Sequence, residues 1–468
     1  MKISMYLLST ICGSVLLIQT ASAQTVSSNN ASSQAIDPGV RAGGVNAGQP
    51  LTSLTPSQLE FFNDGFARFN QVAQVANGLG PTYNSTSCGS CHAQPSPGGT
   101  SPSTAHYPNI GPNPQIAAAS AGGATNKVPT FITPDGPVRE ARFPFATNSD
   151  SSLSRTPDGG VHALFTISGR SDAANCSLAP PNFEQMAQLN NLIFRIPTPV
   201  YGTGLIENIS DATILANMQA NESLKQRLGI SGHPNYSGND GSITRFGWKA
   251  QNKSLEIFAG EAYNVEMGVT NELFPDERGN PPASCVLNPT PEDATNFNAS
   301  GALIAADTVE FAHFMRFLAP PAPSSEGIPN NPSVRSIQNG QALFTEIHCD
   351  SCHTSSLATS ASSLTAGLGN QTANLYSDLL LHSMGSGLAD TISQGSAGPE
   401  EFRTAPLWGL GQRIFFLHDG RSGPVNGGLV NAIQQHSSNG SEANGVISNF
   451  NQLSVQQKQD LLNFLRSL

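Results

Sequence analysis

The chain has 468 residues, which is enough for two or three domains with a sizeable hydrophobic core. Charged residues make up only 12% of it and the formal net charge is −11, which argues against nucleic-acid binding and favours neutral or cationic partners. Because 38% of the residues are apolar, the chain is expected to fold, but 45 Gly and 33 Pro predict many loops.

The first 23 residues are typical of a secretory signal peptide. Lys2 is the only charge before an apolar stretch at residues 11–18, and Ala21-Ser22-Ala23 fits a small-residue cleavage site. The apolar stretch is too short to span a membrane, although an uncleaved anchor is the alternative. We therefore expect a periplasmic or otherwise exported protein that is cleaved after Ala23.

The next segment is predicted to lack order. Residues 24–50 are rich in Ser, Asn, Gly and Ala, which favours a disordered leader. Order is expected to begin with a helix that Thr55 caps and Pro56 starts.

The helix leads into the first of two Cys-x-x-Cys-His motifs, at residues 88–92, and the second lies at residues 349–353. This spacing is that of c-type haem attachment, in which two thiols bind the porphyrin and the His ligates iron. We predict two covalent haems, held by Cys88, Cys91, His92, Cys349, Cys352 and His353.

Two other uses of these cysteines fit the sequence less well. A structural zinc site needs four ligands from paired short-spaced clusters, whereas these two motifs differ in context and both end in His. A thioredoxin-like pair would sit at a strand-to-helix turn, whereas Cys88 leads into a Pro/Gly-rich loop.

Each motif follows a similar helix. Gly65 and Phe69 precede the first motif, and Gly340 and Phe344 precede the second with the same Gly-x-x-x-Phe spacing. The Gly would let another helix cross closely while the aromatic ring packs towards haem. The repeat indicates two cytochrome-like units that arose by internal duplication.

The segment between the units differs in character. Residues 161–167 partly alternate like a strand, and residues 211–228 and 307–318 have helical apolar spacing. The Pro-rich residues 319–323 break the last helix and predict a domain linker. The predicted domains are an N-terminal c-type haem domain at 51–130, a middle segment at 131–325 that completes the first haem pocket, and a C-terminal cytochrome c domain at 334–468 closed by a helix at 454–468.

Two further cysteines remain once the haem cysteines and Cys12 of the signal peptide are set aside. Cys176 and Cys285 form an even remainder in an exported chain, which predicts a disulfide between them. Two unpaired thiols are the alternative.

Several stretches resemble the bacterial di-haem oxidoreductase family, whose members are often called thiol oxidoreductases. The stretches are residues 80–84, 202–207, 245–251, 266–271, 376–385, 402–410 and 418–421. The family is distantly similar to di-haem cytochrome c peroxidases, and this resemblance implies an electron-transfer haem that faces a reactive haem.

The sixth iron ligands would decide which haem reacts. For the second haem we predict Met384, with His382 as the rival. For the first haem we favour His162 among the side chains, with His106, Met267 or an open iron as alternatives.

Other side chains could serve the reaction, although each also has an ordinary structural explanation. Glu207 and Glu266 could shuttle protons in peroxide cleavage if they are desolvated, but surface or salt-bridged carboxylates are common. Trp248 and Trp408 could relay electrons between the haems or pack in the core. His418 and Arg421 lie in one turn that could bind haem propionates.

The sequence therefore predicts a mainly α protein with two cytochrome c-like domains and a loop-rich mixed α/β middle segment. The predicted function is an exported, peroxidase-like di-haem oxidoreductase that takes electrons from a small carrier protein and passes them to a small substrate such as peroxide. The alternative is a non-catalytic di-haem electron-transfer cytochrome. The long middle segment favours the enzyme, since a carrier has no need of it.

Overall fold

The structure is a computed structural model that describes residues 34–43, 46–103, 112–289, 306–363, 365 and 367–468. It is 33% helical and 12% strand, so the prediction of a mainly α protein is wrong and the fold is mixed. The frequent Gly and Pro explain this, because they end helices early and leave long connecting loops.

The described helices range from one turn to four. They are α1 Pro56–Asn70, α2 Cys88–Cys91, α3 Pro114–Ala118, α4 Phe183–Gln188, α5 Thr203–Glu207, α6 Asp211–Gln219, α7 Glu222–Leu228, α8 Leu255–Met267, α9 Asp307–Phe317, α10 Val334–Glu346, α11 Gly428–Gln434, α12 Asn444–Gln452 and α13 Val455–Ser467.

The described strands are short and mostly paired two by two. They are β1 Thr82–Tyr83, β2 Glu140–Arg142, β3 Phe145–Thr147, β4 Leu153–Pro157, β5 Val161–His162, β6 Phe165–Thr166, β7 Ile193–Arg195, β8 Asn235–Tyr236, β9 Ile243–Thr244, β10 Leu357–Ala358, β11 Thr372–Ala373, β12 Leu381–Ser383 and β13 Glu401–Arg403. One sheet has three strands in the order β5-β2-β7, and all named pairs are antiparallel.

Two helix crossings repeat the same construction. Gly65 of α1 lies against the backbone of α9 at Glu310, and Gly340 of α10 lies against the backbone of α13 at Asp460. A Cβ at either glycine would collide with a carbonyl oxygen of the facing helix. The prediction that these glycines permit close helix crossings is therefore confirmed.

We expect Gly340→Ala to lower the free energy of unfolding by roughly 1–3 kcal/mol, because the added methyl must push α13 away from α10. Gly238→Ala is the matched control, since a Cβ there meets no atom within 4 Å. Urea unfolding of the two variants tests this, and equal midpoints would contradict the close crossing.

Most sequence-predicted elements are present, with one break. Thr55 caps α1 through a hydrogen bond from the Gln58 amide, and Ser454 caps α13 in the same way. The helix predicted over residues 211–228 is interrupted between α6 and α7, where Asn221 takes a left-handed conformation with φ of 55°. Asn tolerates this conformation better than most residues, which explains the break.

The leader is ordered over its described part, contrary to the expectation of disorder for residues 24–50. Asp37 forms an ion pair with Arg466 of α13 at 2.7 Å, and an Arg41 Nη donates to the Leu468 carbonyl oxygen at 3.2 Å. Composition missed this order because the contacts are polar and depend on the distant C-terminal helix. Residues 35–468 form one compact unit.

The predicted disulfide is present between Cys176 and Cys285, whose Cα atoms are 4.5 Å apart. It links the loop after β6 to a segment 109 residues later. Among the described residues, no helix is both long and apolar enough to cross a membrane. The predicted signal peptide lies outside the described residues.

Candidate functional site

The first Cys-x-x-Cys-His motif forms one wall of a cavity with an empty volume of about 1130 Å³, including its mouth. Cys88 and Cys91 begin and end α2, and His92 follows directly. The His92 Nδ1 lies 3.1 Å from the Gly99 carbonyl oxygen, and burial lowers the pKa of this imidazole to about 4. The ring is therefore neutral, and a proton on Nδ1 leaves the Nε2 lone pair for a metal.

The second motif has the same arrangement in a cavity of about 1440 Å³. The His353 Nδ1 lies 2.9 Å from the Tyr376 carbonyl oxygen. Burial lowers the pKa of His353 to about 4, and the nearby His436 contributes to this shift. Phe344 packs 6.3 Å from the His353 ring, as Phe69 packs 5.9 Å from His92 in the first cavity. The repeated aromatic residue therefore lies beside the motif histidine, as predicted.

Trp248 is the described residue that lines both cavities. Its Nε1 donates to the Ile196 carbonyl oxygen at 2.9 Å, and its ring lies 6.4 Å from the ring of His418. Trp408 lines neither cavity, because it is buried in the main core against Gly202. Of the two tryptophans, only Trp248 is placed to join the two sites.

A pair of buried carboxyl groups lies in the wall of the first cavity. Burial and the negative charge of Glu140 raise the pKa of Glu266 well above its usual range, and the two side chains share a hydrogen bond. Burial alone would raise the pKa of Glu140, but Arg142 and Arg195 lower it below its usual range. Glu266 is thus the protonated partner, and it also accepts a hydrogen bond from Asn84 Nδ2 at 3.0 Å.

Glu207, the other predicted proton shuttle, lies outside this cavity. Its carboxylate pairs with Arg316 at 2.7 Å and accepts a hydrogen bond from the backbone N–H of Leu255 at the start of α8. These contacts give Glu207 a structural role, and the structure does not support a catalytic one.

Two enclosed arginines line the second cavity without a carboxylate partner. Arg403 donates to the carbonyl oxygens of Gly247 and Thr404, and Arg413 donates to that of Pro406. Burial lowers the pKa of both guanidinium groups to about 10. No described carboxylate forms an ion pair with either arginine. Since enclosed charges are normally paired, this cavity favours an anionic group.

Of the two residues predicted to bind haem propionates, only His418 lines the second cavity. His418 lines the second cavity, where its ring stacks on Phe402 at 4.3 Å. Arg421 does not line the cavity, because Asp419 holds it at 2.6 Å and its Nη1 donates to the Gly387 carbonyl oxygen. Arg403 and Arg413 are better placed to bind an anion.

The side chain favoured as sixth ligand in the first cavity is not there. His162 stacks on Phe143 at 3.8 Å, and its Nε2 bonds to Asp158 at the protein surface, so it does not line the cavity. Met267 does line it, with its sulfur 3.9 Å from Cys88 Sγ. His106 lies outside the described residues.

Several candidate ligands line the second cavity. Met384 is among them, two residues after His382. His382 is occupied, because Asp378 binds its Nε2 at 2.9 Å and Glu442 binds its Nδ1 at 2.7 Å. A further imidazole, His436, also lines the cavity, and its Nδ1 lies 2.8 Å from the Ala432 carbonyl oxygen.

Several residues that line the two cavities were not predicted from the sequence. Glu140 and its arginine partners belong to β2 and β7, whose charged residues interrupt apolar runs, and that pattern could have drawn attention to them. Arg403 stands within a stretch that carried the family resemblance, but its burial could not be read from the sequence. His436 has no motif around it.

The chain matches the model of a known protein family. The model of a family described as "Di-haem oxidoreductase, putative peroxidase" matches residues 159–468. A search of curated proteins found no match.

Two solved structures were compared. Hydrazine synthase of Kuenenia stuttgartiensis is 16% identical, with a TM-score of 0.22, and the match covers 38% of this chain and 60% of that chain. A MauG-like protein associated with microbial copper homeostasis is 16% identical, with a TM-score of 0.27, over 58% of this chain and 89% of that chain. These scores are too low to support an argument.

Proposed function

Because the chain belongs to the di-haem oxidoreductase family, we propose that it is an exported, peroxidase-like enzyme with two covalent c-type haems. In this proposal a small carrier protein delivers electrons to the haem at Cys349 and Cys352. A small substrate such as peroxide would be reduced in the first cavity, where Cys88, Cys91 and His92 would hold the other haem.

The observation that carries the proposal is the pair of cavities. Each has a complete Cys-x-x-Cys-His motif in its wall, and Trp248 lines both. The lining fits haem, because the motif histidines are held by Nδ1 hydrogen bonds and the unpaired arginines of the second cavity match propionate groups. In the first cavity, Arg139 is an enclosed cation whose Nε has no partner among the described residues.

Residues of the chain itself would transfer the protons and conduct the electrons. Bound haem supplies one-electron iron chemistry. Reduction of peroxide to two waters consumes two electrons and two protons. Glu266 and Glu140 hold one proton between two carboxyl groups, so the pair can give a proton from Glu266 and accept one at Glu140. Trp248 gives the electrons a short aromatic path between the cavities.

An exported location agrees with the disulfide. Disulfides persist mainly in oxidising compartments, and Cys176–Cys285 is one. We therefore propose that the signal peptide is cleaved after Ala23 and that the mature protein acts in the periplasm or a similar space.

We expect both haems to remain bound after denaturation, because thioether bonds survive acid-acetone extraction. The intact protein should weigh two haems more than the mature polypeptide. A variant in which Cys88, Cys91, Cys349 and Cys352 are all replaced by Ala should lose essentially all covalent haem, as judged by mass spectrometry. A covalent haem persisting in that variant would contradict the assignment of the motifs.

We expect half-reduced protein to consume peroxide far faster than fully oxidised protein, since electrons stored on one haem must reach the other. Trp248→Phe should slow transfer between the haems while leaving haem content unchanged, and Trp408→Phe is the control. Stopped-flow spectroscopy follows both haems. If neither iron reacts with peroxide or cyanide in any redox state, the chain is instead a non-catalytic electron carrier.

A further inference from the structure

His436 lies just beyond α11, and its side chain lines the second cavity. A hydrogen bond fixes the orientation of the imidazole, because its Nδ1 lies 2.8 Å from the Ala432 carbonyl oxygen one helical turn earlier. The loop that follows is held as well, since Ser441 Oγ donates to the His436 carbonyl oxygen at 2.6 Å.

This anchoring is the same as that of the two motif histidines. His92 and His353 each place Nδ1 within hydrogen-bonding distance of a backbone carbonyl oxygen, at 3.1 and 2.9 Å. In metal sites such a bond fixes the tautomer and ring orientation, and it leaves Nε2 as the ligand atom. His436 is therefore held in the way typical of a metal-ligating histidine and not in the way of a histidine that only packs against its neighbours.

We propose that His436 is the sixth ligand of the iron at His353, so that the C-terminal haem has two axial histidines. This inference rests on the proposed attachment of haem to Cys349 and Cys352. It replaces Met384 as the predicted ligand.

The other candidates in this cavity are less suitable. His382 has both ring nitrogens bound to carboxylates, and its Nδ1 lies 3.7 Å from Cys352 Sγ, at the attachment edge of the haem. Met384 lies just beyond the end of β12, and the described residues give its side chain no hydrogen bond that would hold it in place. His418 is stacked on Phe402, and the described residues give its ring no carbonyl partner comparable to that of His436.

Two histidine ligands would fix the role of the C-terminal haem. Such an iron has a lower reduction potential than one with His and Met, and it has no open position for a small molecule. Substrate would then react only at the N-terminal haem, and the C-terminal haem would receive and pass on electrons.

The unaltered protein gives the first test. Near-infrared magnetic circular dichroism of the oxidised holoprotein should show the charge-transfer band of bis-imidazole iron and lack the sulfur-to-iron band of Met ligation. A sulfur-to-iron band that disappears in Met384→Leu would overturn the proposal.

Three variants extend this test. His436→Ala should convert one low-spin haem to high spin by electron paramagnetic resonance, and added imidazole should restore the low-spin signal. His436→Met should create the sulfur-to-iron band and raise the potential of that haem. Met384→Leu, the control, should leave all these spectra unchanged. Unaltered low-spin spectra in His436→Ala would overturn the proposal.

Haem content separates failure of this inference from failure of the proposed function. Mass spectrometry of each variant should show two haems per chain. If the unaltered protein carries no haem at Cys349 and Cys352, both the proposed function and the ligand assignment are wrong. If both haems are present and the spectra exclude His436, only the ligand assignment fails.

Discussion

Glu266→Gln is expected to slow the reaction of half-reduced protein with peroxide by about 10²–10⁴-fold, the usual contribution of a positioned acid or base. The amide has nearly the shape of the carboxyl group and can keep the hydrogen bond to Asn84, but it cannot give up a proton. Stopped-flow measurement of the peroxide step tests this, and haem content and spectra should be unchanged.

The pH dependence gives this prediction a second readout. Burial and Glu140 raise the pKa of Glu266, so the wild-type rate should be constant while Glu266 keeps its proton and should fall as pH rises through that pKa. The variant should lack this fall. Glu184→Gln, at an exposed ion pair with Lys127, is the control and should react like wild type. A Glu266→Gln protein with the wild-type rate and profile would remove the carboxyl pair from the mechanism.

Arg413→Met is expected to have opposite effects on stability with and without the C-terminal haem. In the proposed holoprotein Arg413 would pair with haem propionates, so its loss should lower both stability and the reduction potential, because a positive charge favours the reduced iron. Without haem, Arg403 and Arg413 are enclosed cations with no carboxylate partner, and each such charge costs several kcal/mol.

The haem-free state can be prepared with Cys349→Ala and Cys352→Ala. Total stability of a domain is only about 5–15 kcal/mol, so this protein should be close to unfolding, with exposed apolar surface and poor near-ultraviolet dichroism. Adding Arg413→Met should restore part of the stability, measured as the urea midpoint. If Arg413→Met is destabilising in both states, the arginine serves packing and does not bind haem.

The sequence predicted features that depend on local spacing. The Cys-x-x-Cys-His motifs, the helix cap at Thr55 and the Gly-x-x-x-Phe spacing before each motif are all read from residues a few positions apart. The structure contains the predicted cap and has close helix crossings at Gly65 and Gly340, and it places each motif in a cavity wall.

Features that depend on distant partners could not be predicted. Glu207 and Glu266 look equally suited to proton transfer in the sequence. In the structure Arg316 forms an ion pair with Glu207, whereas burial and the negative charge of Glu140 raise the pKa of Glu266, which therefore keeps its proton. The mainly α prediction failed for a related reason, since the middle segment contains several short strand pairs, and some of them, such as β1-β6 and β2-β7, join segments that are distant in the sequence. Burial of Arg413 and the orientation of His436 are likewise products of the whole fold.

The crossing of α1 with α9 affects the order in which the N-terminal and C-terminal sites fold. The helix before the first motif, α1, packs against α9 some 240 residues later, as the hydrogen bond between Arg68 and Glu310 illustrates. In contrast, α10 and α13 close the second unit within the last third of the chain. A chain that emerges N-terminus first therefore presents Cys88 and Cys91 while their site is still open. The N-terminal site can close only after residue 317 has arrived, so this long-range pairing should fold more slowly than the local C-terminal unit.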